Sequence, residues 1–213
     1  CESGDLLAIG SSPTFDPNLF VNGISVNDYN GLIEDDHRPL VSKSVQGTYP
    51  PGSTFKMVTA LAALEAGIVS SEDTYRCKGH LEVYSQKFGC WKRSGHGNVD
   101  LVRSLRESCD VYFYEVSRRL GIDRLASTAE KFGLGEKVLQ NYNEEKAGTV
   151  PNTKWKIREL GKNWYIGETL HSGIGQGYFL TTPLQLSLMT AQIANGGFKI
   201  KPRILINKND QIS

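Results

Sequence analysis

The segment Tyr49-Pro-Pro-Gly-Ser-Thr-Phe-Lys56 says most about the fold of this chain and about its chemistry. Its two prolines and its glycine predict a tight turn, because they restrict the backbone. After the turn, apolar residues at helical spacing predict a helix over 54–66, with Gly67 as its C-terminal cap. Ser53 and Lys56 stand three positions apart at the start of this helix, so their side chains lie on one helical face.

This arrangement suits a serine nucleophile with a lysine base. A buried lysine loses its proton more easily than an exposed one and can then activate a nearby hydroxyl group. Backbone N–H groups at the start of a helix can stabilise an oxyanion at the same place. The spacing alone is weak evidence, because a Ser-x-x-Lys pair is expected by chance in a chain with this many serines and lysines. An N-cap serine followed by a surface lysine is the plainer interpretation of Ser53 and Lys56.

Length and composition favour one globular domain. The chain has 213 residues, of which 39% are hydrophobic and 22% are charged, and its net charge is +1. Nucleic-acid-binding domains carry a strong positive charge, so the composition argues against that class. No apolar run in the sequence reaches the length of a membrane-spanning helix, and no signal peptide is recognisable.

Helix caps and the spacing of apolar residues outline further elements. Helices are expected over 101–107, 111–120, 122–132 and 182–195. Strands are expected near both ends of the chain, over 5–10 and from Lys199 onward, whereas 15–43 and 142–167 are expected to be polar excursions. This order predicts a sheet assembled from distant segments, with a helical cluster packed on it.

Four residues able to bind a metal ion follow one another in the middle of the chain: Cys77, Cys90, His96 and Cys109. Three thiolates and one imidazole form a complete tetrahedral ligand set for a structural Zn²⁺ ion. Their spacings of 13, 6 and 13 residues differ from those of zinc fingers, so the composition leaves two alternatives open. One is a Cys77–Cys90 disulfide with Cys109 buried and free, and the other is a set of unrelated core residues.

The segment around Ser53 resembles the nucleophile segment of the penicillin-binding proteins. It is most similar to class B transpeptidases of the cell-elongation type, the penicillin-binding protein 2 family. Further blocks match in the same order over nearly the whole chain, which argues against coincidence. They are Thr14-Phe-Asp-Pro-Asn-Leu-Phe20, Gly95-His-Gly97, Ser104-Leu-Arg-Glu-Ser-Cys-Asp-Val-Tyr-Phe-Tyr114, Gly121-Ile-Asp-Arg-Leu125, Gly173-Ile-Gly-Gln-Gly-Tyr178 and Thr182-Pro-Leu-Gln-Leu186.

The resemblance adds two residues to the expected site. The family's second motif, Ser-x-Asn or Ser-x-Asp, lies in a loop between two helices and corresponds here to Ser108-Cys109-Asp110. Ser108 is then expected to pass protons between Lys56 and the leaving amine. Asp110 is expected to position the substrate or Lys56, although it would also suit a helix N-cap. Other Ser-x-Asp matches occur in the chain, such as Ser71-Glu-Asp73, but they lie outside the matching blocks.

The third family motif, Lys-Ser-Gly or Lys-Thr-Gly on a strand, does not occur in this sequence. We therefore expect 1–213 to be a partial transpeptidase domain that stops before this strand and lacks the membrane anchor and the pedestal region. That strand supplies an oxyanion N–H and binds the substrate carboxylate, so we expect this chain alone to be inactive. The resemblance also favours zinc at the cysteine–histidine cluster, since some elongation-type relatives bind zinc beside the second motif.

The resemblance implies an α+β fold, like that of serine β-lactamases, in which helices cover a mostly antiparallel sheet and form a helical subdomain. It implies a peptidoglycan D,D-transpeptidase that forms a Ser53 acyl-enzyme from D-Ala-D-Ala stem peptides during cell elongation and is trapped by β-lactams. The complete protein would be anchored in the bacterial inner membrane, act on its periplasmic face and pair with a lipid-linked glycosyltransferase. A catalytically inactive, zinc-stabilised cell-wall scaffold and a β-lactam sensor are the alternatives.

Overall fold

The structure, a computed structural model, describes residues 2–139 and 142–204, which belong to two compact units. All residues that the sequence analysis assigns to chemistry belong to the second unit. Within the described part of the chain, no helix has the length and apolar character needed to cross a membrane. The first unit comprises the described parts of Cys1–Tyr49, Glu136–Ala147 and Thr181–Ser213, and the second comprises Pro50–Gly135 and Gly148–Leu180.

Helices make up most of the regular structure in the described residues. The α-helices are α1 (Val26–Glu34), α2 (Lys56–Glu65), α3 (Leu101–Arg106), α4 (Asp110–Leu120), α5 (Ile122–Lys131), α6 (Thr153–Leu160), α7 (Ile166–Gly173) and α8 (Pro183–Ala194). The strands are β1 (Tyr75–Cys77), β2 (His80–Val83), β3 (Gln86–Gly89) and β4 (Gly97–Val99). The 3₁₀ turns are Pro17–Phe20 and Gly52–Phe55. The predictions for α3, α4, α5 and α8 are thereby confirmed to within a residue or two at each end.

The helix predicted over 54–66 is divided into two parts. A 3₁₀ turn over Gly52–Phe55 runs directly into α2, which begins at Lys56. Thr54 Oγ1 donates a hydrogen bond of 2.6 Å to the carbonyl oxygen of Pro51, which closes the turn. Phe55 is fully buried, and its ring packs on Phe179 with ring centroids 4.4 Å apart. These contacts fix the turn in the core and leave Ser53 exposed.

The core of the second unit is formed where α2, α4 and α7 pack together. Small residues allow close approach, because a Cβ added at Gly173 on α7 would lie 2.4 Å from the Ser117 side chain on α4. Thr59 Oγ1 on α2 donates a hydrogen bond of 2.8 Å to the carbonyl oxygen of Gly173. Residue 173 therefore joins three helices, and a side chain at this position would force them apart.

The first unit is organised around α8. Thr182 caps this helix, and its side chain and that of Gln185 form a reciprocal capping box, as the Thr-Pro sequence predicts. Gln185 is fully buried and donates two further hydrogen bonds, to the carbonyl oxygens of Glu136 (2.7 Å) and Ala147 (2.8 Å). By contrast, α1 lies in the predicted polar excursion and buries none of its residues. Its sequence therefore has no apolar periodicity from which a helix could be predicted.

The expectation of strands near both chain ends is wrong for the described residues, and the part of the C-terminal strand predicted beyond residue 204 lies outside them. Asp5 and Arg203 form only an isolated bridge, and the named strands lie over 75–99. There β1 pairs antiparallel with β4, and β2 pairs antiparallel with β3. Tyr84 and Ser85 both have positive φ angles (47° and 66°), as the two-residue turn between β2 and β3 requires. These strands are only three or four residues long, which is too short for a visible alternation of polarity.

The predicted polar connection over 142–167 is also wrong, because it contains α6 and the start of α7. Asn152 caps α6 by accepting a hydrogen bond of 2.7 Å from the backbone N–H of Trp155. Only Lys156 of this helix is buried, so no apolar stripe marks it in the sequence. Helix α6 is important for the second unit because its Lys156 places a charged side chain in the interior.

Lys156 forms an ion pair with Glu168 on α7. The lysine side chain is 2% exposed, and its Nζ lies over the rings of Tyr165 (4.7 Å), Trp164 (5.7 Å) and Tyr178 (5.9 Å). The other oxygen of Glu168 accepts a hydrogen bond of 2.8 Å from the backbone N–H of Tyr165. The pair is therefore enclosed by aromatic rings, and its carboxylate has a second partner.

We expect Lys156→Met to lower the free energy of unfolding by about 3 kcal/mol, because it leaves the Glu168 carboxylate without its counter-ion. The double variant Lys156→Met/Glu168→Gln should recover part of this loss, since neither charge then stays unpaired. Denaturant titration of the three proteins measures the effect, and Lys154→Met on the exposed side of α6 is the matched control. A double variant as unstable as the single variant would contradict this explanation.

Candidate active site and metal cluster

The structure brings Ser53, Lys56, Ser108 and Asp110 together. Lys56 Nζ donates hydrogen bonds to Ser108 Oγ (2.9 Å), to the Ser108 carbonyl oxygen (2.9 Å) and to Asp110 Oδ1 (2.6 Å). Ser108 Oγ in turn donates a hydrogen bond of 3.0 Å to Ser53 Oγ. A continuous hydrogen-bonded path thus runs from the lysine through Ser108 to the exposed Ser53 hydroxyl. Ser108 is 52 positions from Lys56 and 55 positions from Ser53 in the chain, so the fold is what makes this path.

Lys56 is 1% exposed and lies on α2 beneath the Ser53 turn. The three acceptors around its Nζ match the three protons of an ammonium group, and the Asp110 carboxylate stabilises the positive charge. Phe113 on α4 covers another side, with its ring centroid 5.7 Å from Nζ. The interpretation of Lys56 as a plain surface lysine is therefore wrong, because the lysine lies inside the protein with its charge paired.

Ser108 owes its position to a break between α3 and α4, where the sequence analysis predicted a junction. Its φ angle is 51°, in the left-handed region that a residue with a side chain occupies at a cost of about 1 kcal/mol. The backbone N–H of Cys109 donates a hydrogen bond of 2.9 Å to the carbonyl oxygen of Ser104, which closes the loop. The strained backbone turns both the hydroxyl and the carbonyl oxygen of Ser108 towards Lys56.

Asp110 is the first residue of α4, and the N-cap position is occupied by Cys109. The suggestion that Asp110 is the N-cap is therefore wrong by one residue. A carboxylate in the first turn of a helix is stabilised by the helix dipole. Each carboxylate oxygen has its own partner, since Oδ1 accepts from Lys56 and Oδ2 accepts a 3.0 Å hydrogen bond from the backbone N–H of Trp91.

Trp91 is a site residue that the sequence analysis missed. Its indole Nε1 donates to the carbonyl oxygens of Glu107 and Ser108, both at 3.1 Å, although the side chain is 63% exposed. The only signal in the sequence is its place directly after Cys90, a candidate metal ligand. A single exposed tryptophan in a segment without periodicity gives no indication of its partners.

Gly175 is a second residue without a sequence signal for its role. Its carbonyl oxygen accepts a hydrogen bond of 2.9 Å from the backbone N–H of Gly52, at the start of the Ser53 turn. Its φ angle is 70°, and a Cβ at this position would lie 2.3 Å from the Gly52 carbonyl oxygen. Only glycine therefore fits where the loop after α7 supports the nucleophile turn.

The cysteine–histidine cluster also forms. Cys77 ends β1, Cys90 follows β3, His96 precedes β4, and Cys109 caps α4. Their ligand atoms lie within 4.8 Å of one another, and all four side chains are buried. The three thiols are free, so the structure contains no Cys77–Cys90 disulfide. The convergence of four separate segments also excludes unrelated core residues, and the cluster is a group able to hold a metal ion.

Distances and charge in the cluster fit a metal ion such as zinc. His96 Nδ1 lies 3.5 Å from the sulfurs of Cys77 and Cys90. A tetrahedron with Zn–N of about 2.0–2.1 Å and Zn–S of about 2.3 Å has N···S edges of roughly 3.5–3.6 Å. Burial raises the pKa of the Cys90 and Cys109 thiols and lowers the pKa of His96. Without a cation, thiols in this environment are neutral, so a bound metal ion is what would hold them as thiolates.

The family of this chain follows from its similarity to known proteins. The chain matches the family described as "Penicillin binding protein transpeptidase domain" over residues 2–212. The protein therefore belongs to the penicillin-binding transpeptidase family, and the α+β fold expected from the resemblance is confirmed.

Individual relatives agree with this assignment. The peptidoglycan D,D-transpeptidase MrdA of Escherichia coli K12 is 41% identical over 96% of this chain and 33% of its own length. The crystal structure of Pseudomonas aeruginosa PBP2 in complex with WCK 5153 is 44% identical, with a TM-score of 0.90 over 94% of this chain and 44% of that one. PBP2 in the complex with MreC from Helicobacter pylori is 39% identical, with a TM-score of 0.92 over 97% of this chain and 38% of that one. The chain spans about a third of the length of the curated relatives it matches.

Proposed function

We propose that the complete protein is a peptidoglycan D,D-transpeptidase of the cell-elongation type in which Ser53 is the acylated nucleophile. The observation that carries the proposal is the hydrogen-bonded path from the buried Lys56 through Ser108 to the exposed Ser53. The relatives named peptidoglycan D,D-transpeptidase support the reaction class. The substrate would be a stem peptide ending in D-Ala-D-Ala.

In the proposed mechanism, formation of the acyl-enzyme requires two proton transfers along the hydrogen-bonded path between Lys56 and Ser53. Ser53 Oγ attacks the carbonyl carbon of the penultimate D-Ala, and its proton moves through Ser108 Oγ to a neutral Lys56 Nζ. The ammonium group then returns a proton through Ser108 to the departing D-Ala nitrogen as the peptide bond breaks. The three hydrogen bonds between Lys56 Nζ and its acceptors support its place at the inner end of this path. An amine of a neighbouring strand then takes the acyl group from Ser53, which forms the cross-link.

A β-lactam would react with the same serine. Its strained amide carbonyl would acylate Ser53, and the opened ring would stay attached and block the acceptor amine. We propose, from the same resemblance, that the complete protein acts at the periplasmic face of the inner membrane and is held there by a membrane anchor. A lipid-linked glycosyltransferase would supply its substrate strands, and the complex of Helicobacter pylori PBP2 with MreC supports assembly of the complete protein with partner proteins.

We propose further that Cys77, Cys90, His96 and Cys109 bind one structural Zn²⁺ ion. Four protein ligands leave no open coordination position, so the ion would take no part in the acyl transfer itself. Cys109 stands between Ser108 and Asp110, and the metal would therefore fix the loop that carries both residues. We also propose that the complete protein supplies the Lys-Ser/Thr-Gly strand, so every test of activity uses the complete protein.

Peptide mapping after reaction with penicillin tests the proposed function. We expect a penicilloyl adduct on the tryptic peptide 44–56, assigned to Ser53 by fragmentation of the peptide, together with release of D-Ala from a synthetic stem peptide. Adduct formation without D-Ala release would favour the β-lactam sensor. A folded, complete protein that forms no adduct would favour the inactive scaffold and would overturn the proposal.

A further inference from the structure

We propose that Trp91 is a positioning residue for acyl transfer, an inference that rests on the proposed function. Trp91 is not part of the serine–lysine path, yet it contacts two of the groups that Lys56 contacts. Its indole N–H and its backbone N–H bind different members of the second motif. It therefore determines where the acceptors of Lys56 stand.

The first of these groups is the carbonyl oxygen of Ser108. It accepts hydrogen bonds from Lys56 Nζ at 2.9 Å and from Trp91 Nε1 at 3.1 Å. Because the Ser108 backbone is in the left-handed region, it needs external contacts to stay there. The indole N–H is one such contact, and it also holds the preceding carbonyl, that of Glu107, at 3.1 Å. Without it, the peptide after Ser108 keeps its bonds to Lys56 and, through the Cys109 N–H, to Ser104, but it loses a restraint on its carbonyl oxygen. The Ser108 hydroxyl would then spend less time between Lys56 and Ser53.

The second group is the Asp110 carboxylate. Its Oδ1 accepts from Lys56 at 2.6 Å and its Oδ2 accepts from the Trp91 backbone N–H at 3.0 Å. The backbone N–H thus fixes the rotation of the carboxylate, and the lysine receives one oxygen in a defined direction. Since this donor is a main-chain group, it survives most substitutions at position 91, and the two contributions of Trp91 can be separated.

Trp91 is held in position by two residues of the neighbouring cysteine–histidine cluster. The preceding residue, Cys90, is buried, and the indole ring packs edge-on against His96 with ring centroids 5.3 Å apart. The outer part of the side chain is exposed, so the ring contributes less to the core than a buried tryptophan does. We therefore expect a change at this position to affect the chemistry more than the stability.

The test is Trp91→Phe in the complete protein, because phenylalanine keeps a ring and the backbone N–H but removes the indole donor. Acylation by a fluorescent penicillin is followed over a range of concentrations, which separates the binding constant from the rate constant of acylation. We expect the rate constant to fall about tenfold with an unchanged binding constant, metal content and melting temperature. Trp164→Phe is the matched control, since it also removes an indole hydrogen bond (2.8 Å, to Thr169 Oγ1) but away from the site. Its rate constant should stay within twofold of the parent.

The possible results distinguish a positioning role of Trp91 from a general structural role. A Trp91→Phe protein with the acylation rate constant of the parent overturns the inference and leaves the proposed function in place. A slow rate that appears only together with lost metal or a lowered melting temperature also overturns it, because a general structural role then suffices. If the complete parent protein is not acylated at all, the proposed function is overturned, and the inference that rests on it is overturned as well. Trp91→Ala should repeat the loss of rate seen with phenylalanine, since the same donor is missing.

Discussion

Replacing Ser53 by alanine should abolish covalent labelling by penicillin while the protein keeps its fold. The Ser53 hydroxyl is exposed at the end of the hydrogen-bonded path, and no covalent acyl-enzyme forms without its oxygen. Its loss removes one exposed hydrogen bond and no core contact, so the melting temperature should stay within a few degrees of the parent. Gel fluorescence after incubation with a fluorescent penicillin measures labelling, and thermal unfolding measures stability.

The controls for this prediction are the serines of two Ser-x-Asp segments, the second motif and a segment outside the site. Ser108→Ala should slow labelling by about 10²–10³-fold without abolishing it, because proton transfer is lost but the nucleophile remains. Ser71→Ala should change nothing, although Ser71-Glu-Asp73 fits the same pattern, since Ser71 is exposed and its hydroxyl donates a hydrogen bond to the neighbouring Glu72. Residual labelling of Ser53→Ala at the rate of the parent would place the nucleophile elsewhere and contradict the proposed mechanism.

The sequence predicts the parts of the site that lie within continuous motifs. Ser53 and Lys56 share one turn of chain, and Ser108 and Asp110 share another, so local spacing and the resemblance are enough to find them. The resemblance also predicts that Ser108 and Asp110 lie beside Lys56, whereas the residues by themselves do not show how the two motifs are joined. The hydrogen-bonded path in the structure runs from Lys56 through Ser108 to Ser53, which depends on the packing of α2 against α4.

The residues that sequence analysis misses act through the main chain or through long-range contacts. Gly175 supports the Ser53 turn with a carbonyl oxygen, and Trp91 reaches Asp110 with a backbone N–H, so neither role requires a recognisable side-chain pattern. The errors in the fold have a similar origin. The strands over 75–99 are too short for a period, and α6 buries a lysine where an amphipathic helix would bury apolar residues.

If the cluster binds zinc as proposed, removing the ion should destabilise the second unit by several kcal/mol. The cluster joins the ends of β1 and β3, the start of β4 and the N-cap of α4. Loss of a bound ion would therefore remove a cross-link between four segments of the chain. Structural zinc contributes about 10–16 kcal/mol in small zinc-binding peptides, and a larger core reduces but does not remove this dependence. Metal analysis of protein purified without chelator should give one zinc per chain, and thermal unfolding with and without chelator should show a large fall in melting temperature.

Variants and pH give independent tests of the metal ion. Cys109→Ser should lower zinc content, stability and acylation together, because residue 109 stands between Ser108 and Asp110. His80→Ala should change none of them, since His80 is an exposed histidine outside the cluster. Zinc binding must displace the protons of Cys90 and Cys109, whose pKa values burial raises, so the affinity should fall as the pH is lowered, by about a hundredfold per unit from these two thiols. A stable, zinc-free protein that does not respond to chelator would show that the cluster is not a metal site, and the Ser108 loop would then depend on its hydrogen bonds, such as those with Lys56, Trp91 and Ser104.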